Sequence, residues 1–380
     1  MNFEFSEDQV LIRETVREFA EKEIRPRIKT LEENAEFPKA IVLKLGQLGF
    51  LGMSVPAEYG GTKTNAVSSV LVFEELARVS PSVCVIVSVH CSLFCYPLVK
   101  FGTDAQKRKY LPRAAKGEIL GGFAMTEPGA GSDVRGIKTR AERDGDSYIL
   151  NGTKAWVTNG SEANALIVFA LTEGGPRPKN ISAFIVESSF AGYRVSRIES
   201  KMGLHSSPTA EITLESCRIP ADNILGEEGR GATIAFQGLD CSRIGIAAQA
   251  VGLSQGALDE ALKYARQREA FGKKIAEFEA IRFMLADSAT ELDAARLLTY
   301  RAADLFDRGQ PFSKEASEAK LFATEAANRI AYRALQVHGA YGYSTEFDVE
   351  RFYRDARVLT IYEGTSEIQR LVIGRNLLKE

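Results

Sequence analysis

The hydrophobic period changes twice along this chain, and turn chemistry changes with it. Apolar residues keep helical spacing up to about residue 120. They alternate or run in short blocks to about 230, and regain helical spacing from there on. In the first stretch Ser6 and Gln9 match a capping box ahead of Ile12, Val16, Phe19 and Ala20 on one face. Pro26 is expected to end or kink that helix. Further helices are expected around 38–48, 66–79 and 82–100, two of them separated by the turn Glu58-Tyr59-Gly60-Gly61. In the second stretch Asp144-Gly145 and Asn151-Gly152 read as hairpin turns. Ala165–Ala170 and Ser182–Val186 are short apolar runs, and Glu211–Leu214 alternates. No helix-length segment separates these strands, which argues for a small β-barrel or sandwich over a doubly wound sheet. In the third stretch Ile244, Ala248, Val251, Leu258, Leu262 and Ala265 keep helical spacing, as do Ile281, Leu285, Leu292 and Ala295. The expected class is α+β: an N-terminal helical domain over 1–120, a middle β-domain over 121–230 and a C-terminal helical bundle over 231–380.

Charge and cysteine usage narrow the partners. The formal net charge is -2, which argues against a nucleic-acid groove or an anionic membrane as the main partner. Cys84, Cys91, Cys95, Cys217 and Cys241 lack CxxC spacing and read as buried free thiols in a reducing compartment. His90, His205 and His338 are too scattered to indicate a metal site. The first residues show no basic or apolar leader, and no apolar run was expected to approach a membrane span, so the expectation is cytoplasmic.

Five segments carry possible chemistry. Glu363 stands between Tyr362 and Gly364 in Ile361–Arg370. A carboxylate held against an aromatic wall loses water, its pKa rises, and it can take a proton from carbon. An exposed Glu before a helix capped by Thr365 is the plain alternative. Phe123–Asp133, with Met125, Thr126, Gly131 and Ser132, makes a tight turn able to wrap a ring edge or a phosphate, or is a simple surface turn. Trp156 and Thr158 suit the face of an aromatic cofactor, or a barrel core. Arg266–Gly272, with Arg268 and Phe271, closes a helix; its arginines suit a pyrophosphate or merely the helix dipole. Gln336–Tyr343, with Gly339 and Ala340, is glycine-rich in a helical zone. It reads as a close backbone approach or as an ordinary helix–helix turn.

Together and in this order, these segments resemble the acyl-CoA dehydrogenase family over residues 5 to 380. The likeness is to the short-chain (butyryl-CoA) branch, through Gly238–Ala247 and Glu367–Arg375. The resemblance implies an α-bundle, a β-domain and a C-terminal four-helix bundle. FAD would lie between domains and across a subunit interface of a homotetramer. It implies Glu363 as the base that takes the α-proton of an acyl-CoA, in fatty acid β-oxidation, with electrons passing to an electron-transfer flavoprotein. Phe123, Met125, Thr126, Gly131, Ser132, Trp156 and Thr158 would line the flavin. Arg268, Phe271, Gln336, Gly339 and Ala340 would hold the adenosine pyrophosphate half, with Thr365 and Glu367 on the same cofactor. Ser132, Asp240, Arg243, Tyr362 and Gly364 would meet the substrate. No metal is implied.

Three departures stand out. Ser242 occupies the position where isovaleryl-type relatives carry their base, so Glu363 has no rival there. Glu279 replaces a Gln beside the pyrophosphate, and Ala340 replaces a glycine. Cys91, Leu93, Phe94 and Cys95 are candidates for the acyl-pocket floor. Short, branched, alicyclic and dicarboxylic (glutaryl-type) chains stay open, as do an acyl-CoA oxidase and a non-catalytic flavin- or CoA-binding paralogue.

Overall fold

The computed structural model describes residues 4–174, 176 and 178–379. Ser6 caps the first helix as its sequence requires. Its hydroxyl accepts from the Gln9 N–H, and the Gln9 side chain accepts from the Ser6 N–H. Helix α1 (Glu7–Phe19) passes through a π-helical turn, Ala20–Ile24, into α2 (Arg25–Glu33). Pro26 lies in the first turn of α2, where its missing N–H costs nothing, so it starts a helix.

Then come α3 (Lys39–Gln47), α4 (Ala66–Val79) and α5 (Pro81–Val89). A second π-helical turn, His90–Cys95, leads into α6 (Tyr96–Phe101), and α7 (Asp104–Ala115) follows. The expectation that no apolar run approaches a membrane span needs correction. Pro81–Phe101 spans 21 residues with a mean hydropathy of 1.9, long and apolar enough to cross one. In this fold 89% of that window is buried inside the protein, so it is a core helix.

The middle region is one eight-stranded sheet. Its strands are β1 (Gly121–Ala124), β2 (Arg140–Asp144), β3 (Ser147–Thr158), β4 (Ala165–Leu171), β5 (Ile181–Glu187), β6 (Tyr193–Ile198), β7 (Thr209–Pro220) and β8 (Ile224–Leu225). The order is β6-β7-β3-β2-β4-β5-β8, with β1 added to β4. Asp144-Gly145 turns as expected, since Asp144 pairs with Ser147. Asn151-Gly152 does not turn; both residues lie inside β3, at a register shift against β7. Gly152 has φ 154°, and a Cβ there would stand 2.4 Å from Thr139 Oγ1. The glycine serves a bulge and a close approach instead of a chain reversal. The succession of hairpins also fails at β1, which runs parallel to β4.

Helix α8 (Gly231–Gln267) spans 37 residues. A short hairpin, β9 (Glu269–Ala270) and β10 (Lys273–Lys274), links it to α9 (Glu279–Asp307). Then follow α10 (Ser313–His338), a 3-10 turn at Gly339–Tyr343, α11 (Asp348–Leu359) and α12 (Ser366–Leu378). One apolar cluster joins Ile24 and Phe73 from the first helices to Val251, Ile330 and Phe352 from the last, so both helical regions share a core. Close crossing of α8 over α4 depends on Gly252 and Gly256. A Cβ at 252 would stand 2.2 Å from Glu74 O, and one at 256 would stand 2.3 Å from Arg78 O. Any larger residue there forces the helices apart.

Candidate active site

Glu363 lies in the connection between α11 and α12. Thr365 caps α12, its hydroxyl accepting from the Ile368 N–H at 3.3 Å. Glu363 and Gly364 both adopt left-handed backbone, φ 54° and 92°. For a non-glycine residue this costs on the order of 1–2 kcal/mol, so surrounding bonds must hold it. The Gln369 amide donates to Glu363 O at 3.2 Å and to Gly364 O at 2.9 Å. Lys320 Nζ, from α10, donates to Gly364 O at 2.8 Å. The space left by the missing Cβ of Gly364 faces Gln369 Nε2, 2.7 Å from where that Cβ would be. Close approach at this glycine is therefore by the protein's own amide. Among the described residues, no acceptor meets the Glu363 N–H.

Glu363 is half-buried as a residue, and burial dominates at its carboxylate. Ser242, buried on α8, donates from Oγ to Glu363 Oε2 at 2.7 Å. Burial raises the Glu363 pKa, while the Ser242 hydrogen bond and the charges of Lys320 and Arg243 pull it back. Arg243 is itself buried, ion-paired with Asp240, and reaches Ser317 Oγ at 3.5 Å. Burial lowers its pKa against the opposing pull of Asp240 and Glu363. Tyr362 donates its hydroxyl to Gln249 Oε1, and the Gln249 amide donates to Pro81 O at 2.8 Å. The Tyr362 ring sits in an apolar cluster with Phe123, Leu93, Leu204, Leu239 and Val358.

That cluster sorts the four pocket candidates. Leu93 belongs to it. Cys91 instead joins the helical core, its thiol toward the carbonyls of Phe50 and Leu51. Phe94 and Cys95 face the sheet side. The π-helical turn carries all four, and its extra residue per turn sets which one faces Tyr362.

Phe123, on β1, brings the edge of the sheet to this wall. Beyond it Met125 is buried, Thr126 half-buried, and Gly131 and Ser132 exposed. The loop is fixed from within by Glu127. Its carboxylate accepts from Lys154 Nζ at 2.8 Å, from Thr139 N at 3.0 Å and from Lys138 N at 2.6 Å. Lys154 is fully buried, and burial lowers its pKa to about 8. Ala155 N donates to Thr126 O at 2.9 Å, tying the loop to β3. Next along β3, Trp156 has φ 58° and its side chain is 59% exposed. An open indole on a strand is no barrel core; it is a flat apolar face awaiting a partner.

The other predicted cofactor residues lie elsewhere. Arg268 ends α8, with its guanidinium 5.5 Å from the Tyr341 ring centroid. Gln336, Gly339, Ala340 and Phe271 are exposed, Phe271 at 95%. From Ser242 to Arg268 is 26 residues of helix, about 39 Å at 1.5 Å per residue. Thr365 is tied to the base loop, and Glu367 is exposed in the first turn of α12.

Models of the acyl-CoA dehydrogenase N-terminal, middle and C-terminal domains match residues 6–118, 122–217 and 229–378. The chain belongs to the acyl-CoA dehydrogenase family. It is 48% identical over 376 residues to the short-chain specific acyl-CoA dehydrogenase of Mus musculus, covering 99% of this chain and 91% of that protein. It is 47% identical to the 3-(aryl)acrylate reductase of Clostridium sporogenes, over 99% of this chain and all of that one. Among solved structures, butyryl-CoA dehydrogenase from Megasphaera elsdenii superposes with a TM-score of 0.97 at 40% identity, covering both chains fully. A chain from a structure describing the electron transferring flavoprotein of Acidaminococcus fermentans superposes at 0.99 with 43% identity, again over both chains.

Acyl-CoA dehydrogenases bind FAD, and the residues here fit it: an exposed indole at Trp156, a loop braced by Glu127, and a half-buried carboxylate next to Tyr362, whose ring packs in one cluster with Phe123. Sequence reasoning missed Lys320, Gln369 and Gln249. Lys320 had a legible signal. It falls at a core-facing position of α10, in register with the buried Ala316, Ala323 and Ala327.

Proposed function

We propose that this acyl-CoA dehydrogenase converts a short, branched or alicyclic acyl-CoA to the 2-enoyl-CoA, with Glu363 as base, and that its electrons pass to an electron-transfer flavoprotein. Glu363 takes the α-proton as the α-carbon C–H bond breaks. FAD, when bound, supplies the acceptor for the hydride from the β-carbon, and the electron pair left at the α-carbon becomes the double bond. Negative charge gathers on the thioester oxygen in between, and the free Glu363 N–H is available to it. The observation that carries this reading is the carboxylate itself. It is raised in pKa by burial, fixed by Ser242, and set next to Tyr362, whose apolar cluster includes Phe123 of β1.

An apolar chain suits that wall. Leu93, Leu204, Leu239 and Val358 offer a second carboxylate no counter-charge, and an unpaired buried carboxylate costs several kcal/mol. This disfavours a glutaryl-type substrate, even though a glutaryl-CoA dehydrogenase complex superposes at a TM-score of 0.96 with 38% identity. Identity alone does not rank substrates, since 47–48% joins the chain to relatives with different names. Arg268, Phe271, Gln336, Gly339 and Ala340 complete the cofactor site of a neighbouring copy in a homotetramer, because their own chain's flavin face lies toward the other end of α8.

The test is anaerobic bleaching of bound FAD by a panel of acyl-CoAs. Butyryl-, isobutyryl- and cyclohexanecarbonyl-CoA should bleach it, and glutaryl-CoA should not. Fast bleaching by glutaryl-CoA would remove the apolar-pocket argument. Reoxidation by oxygen as fast as by an electron-transfer flavoprotein would make the protein an oxidase.

A further inference from the structure

Lys320 is fully buried in α10, and among the described residues no carboxylate lies within ion-pair distance of it. Its ammonium has three donors, and among the described residues one of them bonds a neutral carbonyl, Gly364 O at 2.8 Å. A lone buried cation is expensive, and Met or Leu would fill an alanine-lined helix face without that cost. The charges facing it come from every element around it: Glu363 on the base loop, Arg243 on α8, Glu325 on α10 and Glu367 on α12. Glu325 is engaged by Ser366 Oγ at 2.7 Å, and Glu367 is exposed.

We infer that Lys320 is a positioning residue for the base: its hydrogen bond fixes the strained Glu363–Gly364 backbone, and its charge keeps Glu363 ionised before substrate arrives. This rests on the reading of Glu363 as base. The charge count gives the reason. Arg243 and Lys320 carry two positive charges, and Asp240 and Glu363 carry two negative ones, so these four groups balance only while Glu363 is ionised; Glu325 and Glu367 add further negative charge around Lys320. When Glu363 takes the α-proton, one positive charge is left over, just as one negative charge appears on the thioester. The cluster thus favours the ionised base at rest, and its surplus positive charge stabilises the enolate charge during transfer. Burial draws the Lys320 pKa down to about 7, against the pull of Glu363, so its charge is fully present on the acid side, where the base must stay ionised.

The experiment compares wild type, Lys320→Gln and Lys320→Met as FAD-loaded enzymes. Gln keeps a donor for Gly364 O without the charge; Met removes both. The reading is the acidic limb of kcat/KM against pH, which reports ionisation of the free enzyme. An opposite charge nearby lowers a carboxyl pKa by about 1–3 units. Removing Lys320 should therefore move that limb up by about one unit in both variants. For Lys320→Gln, kcat/KM should be about tenfold low on the acid side and converge with wild type at high pH. Lys320→Met should stay low throughout, because the loop is also released. An unmoved limb in whichever variant loads with FAD overturns the inference. So does failure of both to load, which would make Lys320 a folding residue only. Wild type that no acyl-CoA bleaches would instead remove the parent reading, an outcome distinct from either.

Discussion

The two ends of α8 handle charge in opposite ways. Near its start, Ser242 and Arg243 are buried against Glu363, Asp240 and Lys320; Ser242 bonds Glu363 and Arg243 pairs with Asp240, while Arg243 Nε is buried without a partner among the described residues. At its end, Arg268 stands exposed with its guanidinium over the Tyr341 ring, near the 95% exposed Phe271. A self-contained cluster has its protonation set by its own fold. An open one leaves its cations and aromatic faces toward solvent, held only by ring contacts such as Arg268 on Tyr341 and Phe271 on Phe278 among the described residues. The first arrangement suits acid–base chemistry, which needs fixed pKa values. The second suits binding, which needs unspent donors. On the function proposed above, the first end would carry the chemistry and the second would serve the cofactor of a neighbouring copy.

The sharpest way to break the comparison is Glu363→Gln. This change keeps size and hydrogen bonding and removes the base, and Ser242 cannot substitute. Flavin reduction by an acyl-CoA should fall by at least about a hundredfold, the scale of a positioned general base. FAD content should persist, since the cofactor's contacts lie elsewhere. Stopped-flow reduction at the wild-type rate would mean that the sealed end of α8 is not where the chemistry happens.

Arg268→Ala tests the open end. A hydrogen bond to a charged group contributes about 1.5–3 kcal/mol, so FAD should bind roughly ten to a hundredfold more weakly. Exposed charges are screened by salt, so the wild-type enzyme should also release FAD more readily at high ionic strength. Ultrafiltration followed by flavin absorbance measures both. Equal FAD retention by the variant at every salt concentration would separate Arg268 from the cofactor.

Much of this contrast was legible in the sequence, and its gaps have physical causes. The period changes located the helices and the sheet because burial on one face imposes spacing. Asn151-Gly152 was misread because a bulge and a hairpin ask for the same permissive backbone. Pro81–Phe101 escaped notice as a membrane-length run because His90, Ser92 and the cysteines interrupt it, yet all of these are buried too. Which of Cys91, Leu93, Phe94 and Cys95 faces Tyr362 depends on a π-helical turn, and ordinary helical spacing does not foresee one. Glu363 was found from its neighbours. The core-facing place of Lys320 on α10 was legible, but its bond to a main-chain carbonyl forty-four residues away was not; Gln369 folds back on its own loop, which residue spacing does not foresee.

The smallest expected effect comes from Ser242→Ala, within the sealed cluster. The Ser242 hydroxyl favours the charged form of Glu363 through a 2.7 Å bond, so its loss should raise the Glu363 pKa further above the ordinary carboxylate range. Because Glu363 keeps some accessible surface, water replaces part of that bond. The acidic limb of kcat/KM should then move up by only roughly half a unit, about a threefold loss on the acid side. The sign carries over to stability. Between the ordinary pKa and the raised folded-state value, the native protein holds a proton that the unfolded chain has lost, so stability falls as pH rises. Raising the folded pKa widens that window. Ser242→Ala should therefore match wild type in strongly acidic solution and be less stable above the folded-state pKa of Glu363, as read by urea unfolding across pH. A stability difference that stays constant with pH would mean that the substitution disturbs only packing. The carboxylate would then be held by its cations alone.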